Sequence, residues 1–278
     1  MILFREMNLI PPVNQMSWSE LMEMARQFKG AINERNEPII GLSMPLHASV
    51  FSVIADYAAT EQLNLTNTAQ CVLFDQPGWK TVVEDVVTGL REGYLSVPAV
   101  SSGQDEAAFT DFNAGNIAMM LADNVFIGSM QDVEWDVVTE PVNKLYPNAA
   151  YKIRIHMYGI HKETQVLPAA WELLKYIILH EKEAYPEAKS LLYAYQPYDD
   201  VVKENKQANF YQFQGVLEPP REAVSPDFFT QFQAIAESWL LQAVSDRIDI
   251  NTAIQHIQSE GQSLWLAELG GEEEGMDG

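Results

Sequence analysis

The sequence predicts a mixed α/β architecture with a helix-rich C-terminal part. Short apolar strand candidates, "PIIGLS" (38–43), "NIAMML" (116–121), "WDVVTEP" (135–141) and "YKIRIHMYGI" (151–160), alternate with helices that signal their own starts. The last 150 residues read as mostly helical. With 278 residues, 47% hydrophobic and 20% charged, the chain is long enough for a large core in one or two domains.

The elements can be justified in chain order. "SWSELMEMARQF" opens with Ser17 three residues before Glu20, the spacing of a capping box, and Trp18, Leu21, Met22, Ala25 and Phe28 share one face. The strand at 38–43 follows. "DQPGWKTVVEDVVTGL" offers Asp75 as N-cap and Pro77 in the first turn, with Val82, Val83, Val86, Val87 and Leu90 as its apolar stripe. In "FTDFNAGNIAMMLADN" (109–124) an acidic, aromatic helix end runs into Gly115 and then into a strand. "LPAAWELLKYIILHEKEAYP" starts beside Pro168 and sets Ala170, Leu173, Leu174, Ile177 and Ile178 on one side. "SPDFFTQFQAIAESWLLQAV" has Ser225 as cap and Pro226 at the first helical position, with Phe229, Phe232, Ala236, Trp239, Leu240 and Ala243 as its expected face. The last helix begins at the Asp249 cap and carries Ile250, Ala253, Ile254 and Ile257; "GGEEEGMDG" (270–278) reads as a solvated, disordered acidic tail.

Composition narrows the function. Lys+Arg number 17 against Asp+Glu 39, a net charge of −22 and a pI near 4.4, so the chain repels phosphate backbones and no nucleic-acid partner is expected. The single cysteine, Cys71, excludes an internal disulfide and a thiolate cluster; its apolar neighbours Val72, Leu73 and Phe74 predict that it packs as a small hydrophobe. No apolar run approaches the ~20 residues of a membrane span. The first twelve residues show no basic-then-apolar pattern, so no signal peptide is expected in them.

Catalytic signatures are sparse. The five histidines, His47, His156, His161, His180 and His256, include no metal-ligand spacing, and no metal or cofactor is expected. Gly41-Leu42-Ser43 resembles half of a nucleophile elbow, but Pro45 stands where the second glycine belongs. A serine hydrolase using Ser43, with a later histidine such as His161 as base, is one alternative. The plainer reading has Ser43 capping or lining a βα loop. A lobe acting as a protein-interaction module is another alternative.

Five passages in register then carry a resemblance. "ILFREMNLIPPVNQMSWSELMEMARQFKG" leads into Ser17-Trp18-Ser19-Glu20-Leu21; Phe112, Gly115, Ala118 and Met119 mark a helix-to-strand passage. Glu134-Trp135-Asp136-Val137 with Pro141, "GIHKETQVLPAAWELLKYI" and "INTAIQHIQ" complete the set across roughly residues 3–266. Together they resemble extracellular solute-binding protein family 1, the maltose-binding-protein-like receptors of bacterial ABC sugar importers. The resemblance implies a type II periplasmic-binding-protein-like lobe, a mixed sheet flanked by helices. It implies capture of a small-molecule solute, a mono- or oligosaccharide, by a monomeric non-enzyme that docks on ABC permease subunits. It further implies the extracellular face or periplasm and a lipoprotein anchor.

The same resemblance implies where solute would be met. Asp123, Asn124 and Phe126 follow the 116–121 strand, with Val125 and Phe126 where the family favours tryptophan. Met44 and His47 follow the 38–43 strand, His156 and Tyr158 lie in a returning segment, and Gln233 sits on a late helix. Export signal and most of a first lobe are missing from the pattern. The implied domains are a second-lobe core over 1–145, an excursion belonging to the first lobe over 146–200, C-terminal helices over 201–269 packing back, and the tail.

Overall fold

The computed structural model describes residues 2–67, 71–97, 104–123, 130, 133–150, 158–184, 209, 212, 215–216 and 224–275. Its elements run α1 (Ile2–Glu6), α2 (Trp18–Arg26), β1 (Ile40–Ser43), α3 (Val50–Thr60), α4 (Pro77–Arg91), β2 (Leu95–Ser96), α5 (Gln104–Asn113) and β3 (Ile117–Met120). Then follow β4 (Ala149–Ala150), α6 (Leu167–Ala184), β5 (Gly215–Val216), α7 (Pro226–Val244) and α8 (Ile250–Gly275). The order β2-β1-β3 makes one three-stranded sheet, parallel throughout, with Leu42 facing Leu95 on one side and Met119 on the other. β4 and β5 form a separate parallel pair.

The helix starts follow local chemistry. Ser17 and Glu20 make the expected capping box, Ser17 N–H donating to Glu20 Oε2 at 2.8 Å. Ser225 accepts from Phe228 N at 3.0 Å, and Asp249 accepts from Thr252 N at 2.9 Å. α4 departs from expectation: its N-cap is Gln76, which makes no side-chain cap bond, rather than Asp75. Pro77 at the first helical position fixes the start without a cap, since its missing N–H would have been an orphan donor.

The passage at 109–124 behaves as its glycine demands. Gly115 N donates to Phe112 O at 3.0 Å and Asn116 N to Asp111 O at 2.9 Å, the paired bonds of a Schellman stop. Gly115 takes φ +78°, where a Cβ is strained. Gly41 serves another need: a Cβ there would lie 2.2 Å from Ala25 O, so α2 can cross β1 only over a bare glycine.

One core runs through this body. The valines of α4 (Val82, Val83, Val86, Val87) are buried against α3, α7 and α8, and Phe51, Phe74 and Phe232 meet at centroid distances of 5.8–6.5 Å. The C-terminal helix fastens the extended 72–75 segment with side-chain amides. Gln262 Oε1 accepts from Val72 N and Gln258 Nε2 donates to Val72 O, both at 2.8 Å. Arg91 Nε and Nη2 donate to Ala243 O and Ile248 O, closing the turn between α7 and α8.

Several expectations need correction. The 135–141 stretch is no strand: Thr139 N donates to the Asn14 side chain at 2.9 Å and Gln15 N to Thr139 Oγ1 at 2.7 Å, so side chains replace a ladder. On α7 the buried phenylalanine beside Phe232 is Phe228, while Phe229 is 39% exposed; the 3.6-residue period admits either. Cys71 is exposed, with Val72 and Phe74 taking the core positions around it. α8 is helical as far as Gly275, entering the stretch expected as a disordered tail; Glu272–Glu274 are good helix formers. In the 151–160 strand candidate, 158–160 are irregular and 151–157 lie outside the described residues. The α6 stripe packs on nothing in the core: Leu173 is 59% exposed and Ile178 45%.

Candidate functional site

All three strands of the main sheet end at one edge. Ser43 pairs with Ser96 and with Met120, and the ladder runs past the strand ends through Met44 N to Ser96 O (2.9 Å) and Leu121 N to Ser43 O (3.0 Å). Residues 44–49, Val97 and 121–123 therefore leave this edge side by side. In open α/β sheets the carboxyl ends of parallel strands gather such loops into ligand crevices.

The 44–49 loop is the best-defined wall. His47 is 8% exposed, and its Nε2 lies 3.1 Å from Asp56 Oδ2 on α3. Nε2 faces the Asp56 carboxylate, which accepts from it; Nδ1 is buried with no hydrogen-bond partner. Two residues on, Ser49 and Ser52 exchange reciprocal bonds of 3.1 Å, a capping box that starts α3. Glu237 reaches across from α7 and accepts from Val50 N at 3.2 Å and Phe51 N at 2.8 Å. The first-turn amides of α3 thus already hold a carboxylate from the same chain, where the helix dipole favours one.

Behind this wall, Tyr57 donates to Asp85 Oδ2 at 2.9 Å. Burial raises the pKa of Tyr57, and the nearby Asp85 charge raises it further. Burial also raises Asp85, opposed by the Tyr57 hydrogen bond. Trp18 stacks on Tyr57 at 5.1 Å and donates Nε1–H to Thr60 Oγ1 at 3.2 Å, tying α2 to α3.

The sequence-predicted residues separate on this frame. His47 stands on the edge loop. Asp123 follows β3 at the same edge and is half-buried. Met44 is at the edge by backbone only: its side chain is fully buried, packed as core, and has no surface to offer a solute. Gln233 is half-buried on α7, one turn from Glu237, and Tyr158 is 53% exposed. Asn124, Phe126 and His156 lie outside the described residues. Ser43 is a strand residue, 1% exposed with Oγ unpartnered, so it neither caps nor lines a surface and is shut away from any substrate. His161, its notional base, is exposed. Sequence reading missed Asp56 and Glu237; an acidic residue on a helix carries no local sign that it will cap another helix far along the chain. Among the described residues, no group of three or more His, Cys, Asp or Glu side chains is placed to hold a metal.

The fold, with its parallel main sheet, is that of the periplasmic binding proteins. No family model matches the sequence, and no curated protein is similar to it in sequence. Solved structures are similar in fold. A protein from Synechococcus sp. MITs9220, described as an oligosaccharide periplasmic-binding protein, superposes with TM-score 0.61 at 16% identity, covering 96% of this chain and 70% of its own. An ABC substrate-binding protein from Listeria monocytogenes in complex with cycloalternan gives 0.58 at 18% identity, covering 94% and 66%. A solute-binding protein from Agrobacterium vitis S4 with bound D-mannitol gives 0.56 at 15% identity, covering 97% and 69%. The chain spans about two thirds of the length of these proteins.

Proposed function

We propose that the chain is the solute-capturing component, or the larger part of it, of a bacterial ABC importer for carbohydrate. The observation that carries this reading is that residues 44–49, Val97 and 121–123 leave the carboxyl edge of the sheet together. That edge sits in a fold covering 94–97% of this chain in proteins described with cycloalternan and D-mannitol. Capture there is binding rather than catalysis, and the burial of Ser43 removes the nucleophile the hydrolase alternative required. The site of action is outside the cytoplasmic membrane, with permease subunits as the downstream partner.

Asp123 would accept from a solute hydroxyl, while His47, with Nδ1 buried, would hold the 44–49 loop through its contact with Asp56. A carboxylate already seated on the α3 amides suits a neutral solute better than an anionic one. Retention comes from closure: a solute contacting both walls of a cleft stabilises the closed state.

The test is an NMR titration of the chain with cycloalternan, D-mannitol and maltotriose. Shifts confined to residues 44–49 and 121–123 are expected. Shifts elsewhere only, or none with any solute, would sink the reading. Ser43 should stay unlabelled by a fluorophosphonate probe.

A further inference from the structure

The start of α3 lies at the carboxyl edge of the sheet, because the 44–49 loop joins it to the end of β1. From β1 the chain runs to β2 on one side and comes back to β3 on the other. In parallel sheets such a reversal opens a crevice, and a helix start beside it offers free amides to an anion. Here those amides are taken. Glu237 Oε1 accepts from Val50 N at 3.2 Å, Glu237 Oε2 from Phe51 N at 2.8 Å, and Ser49 Oγ from Ser52 N at 3.1 Å. Glu237 is half-buried rather than sealed, so solvent reaches its side chain. Among the described residues no Lys or Arg forms an ion pair with it, and the two amides answer its charge.

We infer that Glu237 sets the charge selectivity of this edge. It fills the carboxylate seat at the start of α3 and so turns away acidic saccharides such as uronates, while neutral ones are admitted. A solute carboxylate would have to displace Glu237 from both amides or sit beside it, where like charges repel at short range. The net charge of −22 adds a field of the same sign. A neutral hydroxyl meets neither obstacle, so the discrimination comes from what Glu237 repels. The same bonds tie α3 to α7, but a purely structural tie would be indifferent to the anion in solution. The inference rests on the receptor reading for where solute sits, whereas the seat itself is tested without any neutral saccharide.

The experiment melts the parent chain, Glu237→Ala and Glu237→Gln in sodium chloride, acetate or glucuronate at equal ionic strength, about 100 mM. Glu237→Ala vacates the seat. Beyond any change in the parent, it should melt about 2–4 °C higher in acetate and in glucuronate than in chloride. The Val50 and Phe51 amide resonances should shift with it. Glu237→Gln keeps the side-chain shape without the charge and serves if the alanine variant does not fold. Glucuronate should shift its 44–51 amides at concentrations about tenfold lower than in the parent. Four results overturn the inference: no anion-specific gain in Glu237→Ala, an equal gain in the parent, rescue by acetate but not by glucuronate, or no gain in Glu237→Gln. Anion rescue in a chain that binds no neutral saccharide would overturn the receptor reading and leave the seat standing. Neutral saccharide bound at the edge with no anion response in either variant would do the reverse.

Discussion

Helices α4 and α6 invite comparison because they are similar in length and both rich in aliphatic residues, yet they occupy opposite environments. α4 confines its valines to one stripe, turns Lys80, Glu84 and Arg91 outward or to caps, and buries that stripe completely. α6 spreads Trp, Leu, Ile and Tyr around its whole circumference and leaves most of them exposed, with Leu174 half-buried. The stripe of α4 matches a neighbour on one side; the apolar girdle of α6 faces no described core residue. Apolar content alone does not tell a core helix from an interface helix, but its angular distribution does.

The contrast can be broken by mutation, and the largest effect belongs to the body. Phe232→Ala removes a fully buried ring from the junction of α3, α7 and the 72–75 segment and should cost about 3–5 kcal/mol in denaturant unfolding. Trp171→Ala, an aromatic truncation on α6, should fall within about 0.5 kcal/mol in the same assay. Equal effects would mean that α6 is packed after all. Next comes Gly41→Ala: the added methyl meets the Ala25 carbonyl at 2.2 Å, and overpacking of this kind costs about 1–3 kcal/mol. Glu237→Ala strips two hydrogen bonds from the start of α3 and should cost about 1–2 kcal/mol, with Glu237→Gln recovering part of it.

The smallest effect depends on pH. Asp85 has its folded-state pKa raised by burial, so its contribution to stability is fully present below the unfolded value and is lost as pH rises through the folded value. Asp85→Asn keeps an acceptor for Tyr57 O–H without the charge. It should therefore melt higher than the parent chain near pH 7.5 and lose that advantage near pH 4. An advantage that grows on acidification would mean the carboxylate is stabilised rather than strained.

Much of the body was legible in the sequence because its signals are local. Ser17, Ser225 and Asp249 cap where their spacing placed them, and Gly115 stops α5 in the only conformation that suits it. The α/β architecture followed from strands separated by capped helices, whereas the main sheet is parallel and not the mixed one expected. What failed was non-local. Thr139 and Asn14 bond each other across the chain, so a stretch with strand composition stays irregular. Phe228 and Phe229 are equivalent to the helical period, and only the position of Trp265, 5.1 Å from Phe228, selects between them.

The candidate site was legible at its backbone and obscure in its side chains. Parallel strands fix which loops meet, and hence that His47 and Asp123 share an edge. They do not say which side chains face inward. Met44 turned into the core and Ser43 was sealed beneath it, while the carboxylate that holds the start of α3 came from Glu237, remote in sequence.

The amide clasp between α8 and the 72–75 segment has a consequence for biosynthesis. Val72 and Asp75 receive their partners, Gln262 and Gln258, from almost two hundred residues downstream. During translation Phe51 and Trp79 can pack on Phe74 early, but Phe232 and the two glutamine side chains reach this segment only much later. Nascent molecules therefore hold the 72–75 segment with its backbone partners outstanding for a long interval, in which holdase chaperones have a target.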